Sequence, residues 1–320
     1  MRRLLRSGLL FALFGAIMYA AVYVAADRLV YRTGQSNPLY KIATAAAREY
    51  DWVILGASHA MTLDFAAFAG EIERASGQRV VNLAAQGTGP LYQRFVLEEF
   101  ARSHRARRVL YVVDSFAFYS RRWNEERFGD AKLLRRTPFS PRVALHLLQY
   151  VRHEGVEPTA LLDYVSGFSK VNDRDRFARD AWEGEAQFER VYRTSSSAVA
   201  KRIQYLYPDG LTPALRERYL GELAQLLDFA RSQGMEAVVV KMPLPDAFRR
   251  KLPDEDVFDE ALAAMLAPRG IGLRDFSQAI GEPKFYFDSD HLNRGGLALF
   301  LERDLAPVLS GTVSPQASAR

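Results

Sequence analysis

The stretch Trp52-Val53-Ile54-Leu55-Gly56-Ala57-Ser58-His59-Ala60 decides the fold. Four strand-favouring residues run into a glycine, and a serine then opens a helical pattern through Phe65, Phe68 and Ile72. A strand that turns directly into a helix is the first half of a βαβ unit. Working outward, the pattern recurs. Residues 79–83 (RVVNL) read as a second strand that ends in Gln86-Gly87-Thr88-Gly89-Pro90, with a helix from Leu91. Residues 108–113 give a third strand. Residues 213–233 read as a long helix stopped by Gly234. Residues 237–241 give a fourth strand, 258–266 a helix, 271–276 a fifth strand and 296–309 a closing helix. Alternating strands and helices predict an α/β fold, a three-layer α/β/α sandwich around a parallel five-stranded sheet. Residues 120–210 interrupt the alternation and read as an insertion in the body over 51–310. Residues 28–50 read as a connector with an amphipathic helix near 40–50, and 311–320 as a disordered tail.

The N-terminus carries a different signal. Arg2, Arg3 and Arg6 precede an uncharged run over 7–26, which Asp27 and Arg28 close. Twenty such residues in a helix rise about 30 Å, the thickness of a bilayer core. Residues 1–27 are therefore expected to be a single-pass anchor in the cytoplasmic membrane. Its arginines stay inside, and the C-terminal body lies in the periplasm or extracellular space. Tyr19 and Tyr23 fall where aromatic rings favour the outer interface. A cleaved signal peptide is the alternative, with Val24-Ala25-Ala26 as the cleavage site. The run is longer than the roughly 7–15 residues usual for a signal core, which favours an uncleaved anchor.

Composition removes several classes. The 320 residues include no cysteine, so a disulfide framework, a zinc ribbon, an iron–sulfur cluster, a lipoprotein anchor and a thiol nucleophile are excluded. Forty-three basic against 38 acidic residues give +5, and the orienting arginines account for part of it. Residues 102–108 (RSHRARR) read as cations at the end of a helix. The basic stretch 121–142 is interleaved with Glu125, Glu126 and Asp130, as in a solvated loop or a face toward an anionic headgroup or polymer. No nucleic-acid partner is expected. Without a Walker loop, G-x-G-x-x-G or H-E-x-x-H, no cofactor and no metal are expected either.

In parallel α/β sheets, ligands bind outside the carboxyl ends of the strands. Three candidate segments fall there: 56–60, 87–90 and 287–293. Ser58, at a strand-to-helix turn, is a candidate nucleophile, with helix capping as its alternative role. His291 is its candidate base, and Asp288 the carboxylate that orients the imidazole. Asp290 competes with Asp288 but is adjacent to the histidine and less able to reach its ring. Gly87 offers a second backbone N–H to a developing oxyanion. His59 reads as a turn or supporting residue. Gln86, Thr88 and the turn Met242-Pro243-Leu244-Pro245 are further candidates for the site wall. An α/β-hydrolase nucleophile elbow fits less well: G-A-S-H-A lacks the second glycine and follows the first strand.

With these blocks in register, the sequence resembles the SGNH/GDSL hydrolase superfamily. ILGASHA stands where that family has its GDS block, NLAAQGTG matches its second block, and FDSDHL its final D-x-x-H block. The single anchor, the GxSH opening and the D-x-x-H-L-N-x-x-G ending look most like a membrane-anchored envelope branch. That branch includes Dlt-type D-alanyl-transfer proteins and accessory proteins of alginate O-acetylation. The resemblance implies an extracytoplasmic serine esterase or O-acyltransferase acting on an acyl ester of a cell-envelope polysaccharide or polymer. Its catalytic residues would be Ser58, Asp288 and His291, and its partner a multi-pass membrane O-acyltransferase. Two positions depart from the pattern. The GDS aspartate is Ala57, and Asp114 stands where the family's third block supplies an oxyanion asparagine. Ser58, Gly87 and Asp114 are thus the oxyanion or substrate-binding set, with the Asp114 carboxylate repulsive unless turned away or protonated. Two other readings stay open: a catalytically weak accessory or binding module, and a periplasmic esterase of lipids or small esters.

Overall fold

Five parallel strands form one sheet in the order β2-β1-β3-β4-β5. They are β1 (Glu49–Leu55), β2 (Val80–Asn82), β3 (Arg105–Val112), β4 (Glu236–Lys241) and β5 (Leu273–Asp275). A computed structural model describes residues 1–178, 182–193 and 195–311. Of the tail expected to be disordered, all but Gly311 lies outside the described residues. In register, Ile54 lies opposite Leu110, and Leu110 opposite Val238. The carboxyl halves of β1, β3 and β4 are buried on both faces, which is why they read as continuous apolar runs.

Helices cover both faces. On one, Phe68–Ser76 and Arg294–Phe300 pack over Trp52, Ile54, Leu110, Val112 and Val240. On the other, Pro213–Ser232 packs on β4 and against the helices Pro90–Ala101 and Glu255–Leu266. The three-layer sandwich is the one the alternation predicts. The basic run 102–108 is a correction. The helix Pro90–Ala101 ends before it, and Arg105 and Arg108 lie in β3, with Arg105 opposite Glu49. Arg108 pairs with Glu236 of β4 at 3.0 Å. Charged residues are tolerated there because they lie at the amino edge of the sheet, where β3 is still partly exposed.

The chain divides into two compact units, Met1–Thr44 with Phe128–Asp180 and Ala45–Arg127 with Ala181–Arg320. The sheet belongs to the second. The expected insertion is thus divided: 128–180 falls in the first unit and the remainder in the second. In the first unit the N-terminal helix runs over Arg2–Thr33, past its expected end at residue 27. Asp27 lies inside it, with its carboxylate taken by Lys170 Nζ at 2.5 Å and by the Phe139 N–H at 2.9 Å. This is the one helix among the described residues long and apolar enough to cross a membrane. The expected connector helix is Pro38–Thr44, and Glu49 and Tyr50 already belong to β1.

Gly56 makes the sharp exit from β1. Its φ is +142°, and a Cβ there would stand 2.8 Å from the Val112 carbonyl oxygen and 3.0 Å from the Val112 Cβ. Backbone strain and overpacking together give an expected loss of about 2–4 kcal/mol for Gly56→Ala. Urea unfolding checks this, and an unchanged midpoint and slope would contradict it.

Candidate active site

Three segments converge at the carboxyl edge of the sheet. β1 leads through Gly56 and Ala57 into the short helix Ser58–Met61. β3 leads through Val113 to Asp114. The third segment, 286–292, closes on itself through an antiparallel bridge between Tyr286 and Leu292 and a bond from the Phe287 N–H to the His291 carbonyl at 3.0 Å. Inside that loop, Asp288 Oδ1 accepts the N–H groups of Asp290 (3.0 Å) and His291 (2.8 Å). The spacing D-x-x-H therefore lets one carboxylate hold both its own turn and the imidazole that follows.

Ser58, His291 and Asp288 come together. His291 Nδ1 lies 2.9 and 3.0 Å from the two Asp288 oxygens, and His291 Nε2 lies 2.9 Å from Ser58 Oγ. A carboxylate only accepts, so Nδ1 carries the proton and Nε2 offers its lone pair to the serine hydroxyl. Asp290 is 3.7 Å from the same Nδ1, too far for a hydrogen bond. Three rings hold the imidazole in place: Phe287 stacked at 5.5 Å, Trp182 edge-on at 4.9 Å and His59 tilted at 4.6 Å. Ser58 and His291 are buried, whereas Asp288 keeps part of its side chain in solvent.

Asp290 and Asp114 serve His59. His59 Nδ1 lies 2.5 Å from Asp114 Oδ1, and its Nε2 lies 3.0 Å from the Asp290 carbonyl oxygen and 3.5 Å from Asp290 Oδ2. Both ring nitrogens face acceptors, so both carry protons and the ring is an imidazolium. Burial alone would lower its pKa, but the charge and hydrogen bond of Asp114, then those of Asp290, raise it to about 10. Arg202 grips the other side of Asp290, with Nε and Nη2 at 2.9–3.2 Å from its oxygens. Burial opposes the charge on Asp290, yet Arg202 and His59 hold it well below the usual carboxylate range. The sequence gives no local signal for Arg202, which enters from the helix Ser196–Leu206. Asp114 is therefore turned onto a cation, which removes the repulsion expected of a carboxylate beside an oxyanion.

Gly87 has φ +61°, and a Cβ there would meet the Trp123 ring at 2.9 Å. Arg127 donates to the Gln86 carbonyl from Nε (3.2 Å) and Nη2 (2.7 Å). Because carbonyl and N–H point opposite ways across a trans peptide, this grip also fixes the Gly87 N–H. Among the described residues, no acceptor takes the N–H of Gly87 or of Ser58. Thr88 is a clamp: its hydroxyl meets the Ala85 and Gly56 carbonyls at 2.8 and 3.2 Å and Gln93 Nε2 at 2.7 Å. Asn124 follows Asp114 along the chain, but its amide already donates to the Ala117 and Ser120 carbonyls at 2.8 and 3.1 Å. Met242 and Leu244 line a cavity of about 20 Å³ beside His59 and Asp114.

One atom each of His59, Asp290 and His291 lies within 4.8 Å of the others. A cation there would have to displace Arg202 from Asp290 and a proton from His59, while the His291 nitrogens already meet Asp288 and Ser58. These residues form a charge network and do not fit a ligand set.

Solved structures similar to the chain include two hydrolase-type proteins. A candidate acylhydrolase from Bacteroides fragilis has 9% identity and a TM-score of 0.42, over 85% of this chain and 93% of that one. A GDSL-like lipase from Bacteroides thetaiotaomicron has 10% identity and a TM-score of 0.40, over 85% and 95%. No protein-family model and no curated protein sequence matches the chain.

The His59 pKa in the folded protein lies above its ordinary value of 6.5. The stability this group contributes is therefore complete below about pH 6.5 and is lost as pH rises through about 10. Wild-type unfolding free energy is expected to fall from about pH 7 to about pH 10 relative to His59→Gln. Parallel pH profiles for the two proteins would contradict the assignment.

Proposed function

We propose that the chain is a membrane-anchored serine acyl-transfer enzyme of the SGNH type, acting on an acyl ester of a cell-envelope polysaccharide or polymer. One observation carries this reading: the unbroken hydrogen-bond series Ser58–His291–Asp288 at the carboxyl edge of a parallel sheet. Ser58 Oγ attacks the carbonyl carbon of an ester or thioester, and its proton passes to His291 Nε2. The negative charge collects on the former carbonyl oxygen, which the N–H groups of Ser58 and Gly87 receive. Collapse breaks the bond to the leaving group, which takes the proton from His291. Water or a polymer hydroxyl then attacks the acyl-Ser58 ester by the same steps in reverse order, with His291 again as base.

The charges around the imidazole suit this sequence of steps. Asp114, Asp288 and Asp290 are formally three negative charges, against His59 and Arg202 as two positive ones. A proton passing from Ser58 to His291 adds a third positive charge, and the oxyanion carries the matching negative one, so the net charge is unchanged while the surplus carboxylate favours the imidazolium. The N-terminal helix would hold the body at the outer face of the cytoplasmic membrane, beside a multi-pass O-acyltransferase as partner. A second reading is an accessory module of low intrinsic activity. It is favoured by the Asn124 amide, which is occupied and leaves the oxyanion with two backbone donors.

A fluorophosphonate probe is expected to label the wild type and not Ser58→Ala. Labelling that persists in Ser58→Ala, or that is absent from both, would remove the serine assignment. Asp288→Asn is expected to lower kcat on a soluble aryl ester by about 10³–10⁴-fold, since the imidazole loses the acceptor that fixes its tautomer. A loss under about tenfold would move that role elsewhere.

A further inference from the structure

The search outside the catalytic edge leads to the first unit, where two short helices meet the N-terminal helix. Pro158–Ser166 and Phe168–Val171 are joined at Gly167. The Tyr19 hydroxyl donates to the Ser166 carbonyl at 3.0 Å. Gly167, with φ +67°, lies so close to the Tyr23 ring that a side chain there would collide with it. One turn further along, Lys170 Nζ meets Asp27. The corner is thus pinned against the N-terminal helix between residues 19 and 27. Tyr19 and Tyr23 lie inside the uncharged run 7–26. From Tyr19 to Ala26 the helix rises about 10 Å, and from Tyr23 about 5 Å. Any bilayer that accommodates the whole run therefore reaches the level of this corner.

The outer face of the corner has the matching chemistry. Leu162, Val165 and Phe168 are 67%, 47% and 62% exposed. Pro158, Thr159 and Ser166 complete the exposed positions over 158–168, and none of these six is charged. The two charged residues within these helices, Asp163 and Lys170, are already paired, and Glu157 stands exposed just before the first of them. Asp163 is partly buried and accepts the Ser169 N–H at 2.8 Å and its hydroxyl at 2.5 Å. Lys170 is buried against Asp27. Beyond the corner the N-terminal helix exposes Arg28 and Arg32, at the level where lipid phosphates lie. An uncharged apolar face continuous with a spanning helix, with exposed arginines on the next turns, fits a lipid surface.

We propose that the corner of Pro158–Ser166 and Phe168–Val171 is a membrane-inserted surface. Its Leu162, Val165 and Phe168 side chains enter the leaflet at the body end of the N-terminal helix. The inference rests on the reading of the run 7–26 in this helix as a span. Insertion would fix the first unit on the bilayer by two points, the span and this corner, in place of a single flexible tether.

The chain has no cysteine, so single cysteines can be introduced without background. Leu162→Cys, Val165→Cys and Phe168→Cys, in the full-length protein, are spin-labelled and reconstituted into phospholipid nanodiscs. Leu13→Cys in the span and Glu217→Cys on the second unit are the references. Power saturation with oxygen and with a water-soluble nickel chelate reads the depth of each label. The three corner labels are expected to favour oxygen as Leu13→Cys does, at depths on the order of 5–10 Å. Nickel-accessible corner labels with a lipid-buried Leu13→Cys would overturn the proposal and leave the anchor standing. A nickel-accessible Leu13→Cys would overturn the anchor and the proposal with it.

Discussion

A buried imidazolium ties together the ends of chain that make the site. His59 follows β1, Asp114 follows β3, and Asp290 lies in the C-terminal loop. Left to themselves, two carboxylates with almost no water access would repel and would draw protons or solvent inward. A cation with a hydrogen-bond donor on each side converts that cost into a tie across the sheet edge. Arg202 completes it by taking the remaining charge of Asp290. Removing one member leaves an unpaired buried charge, which typically destabilises by about 3–5 kcal/mol, so the four residues stand or fall as a set.

The tie places the chemistry. Asp290, held by His59 and Arg202, directly precedes His291, so the loop that carries the imidazole is fixed from below while Asp288 fixes it from the solvent side. Phe287, Trp182 and His59 then leave the ring little freedom to turn. Preorganisation of this kind matters because the donors and charges are already aimed before any bond changes. The same economy governs Gly87. Its left-handed backbone, the Trp123 ring against its α-carbon and the Arg127 grip on Gln86 all orient one N–H.

Much of this was legible in the sequence because it is local. Short apolar runs alternating with helical patterns located the strands and hence the edge where Ser58, Gly87 and Asp288 gather. The D-x-x-H spacing is a feature of one turn, so it could be read without a fold. What was not legible is long-range. Nothing in ASHAM marks His59 as the partner of residues 55 and 231 positions away, and nothing near Arg202 points to Asp290. The basic run 102–108 misled for a related reason: its arginines open a strand whose acidic partners, Glu49 and Glu236, come from two other strands. The N-terminal helix runs past its expected end at Asp27, and the partner of that aspartate, Lys170, comes from far along the chain.

The central claim is that His59 is a fixed cation, and its ring nitrogens can be observed directly. Nitrogen-15 spectra of the five labelled histidines at about pH 8 test it. The account predicts one ring with both nitrogens protonated, and the loss of that signal in His59→Gln. If every ring at that pH carries one bare nitrogen, the tie is a neutral hydrogen bond and the electrostatic account of the site is wrong.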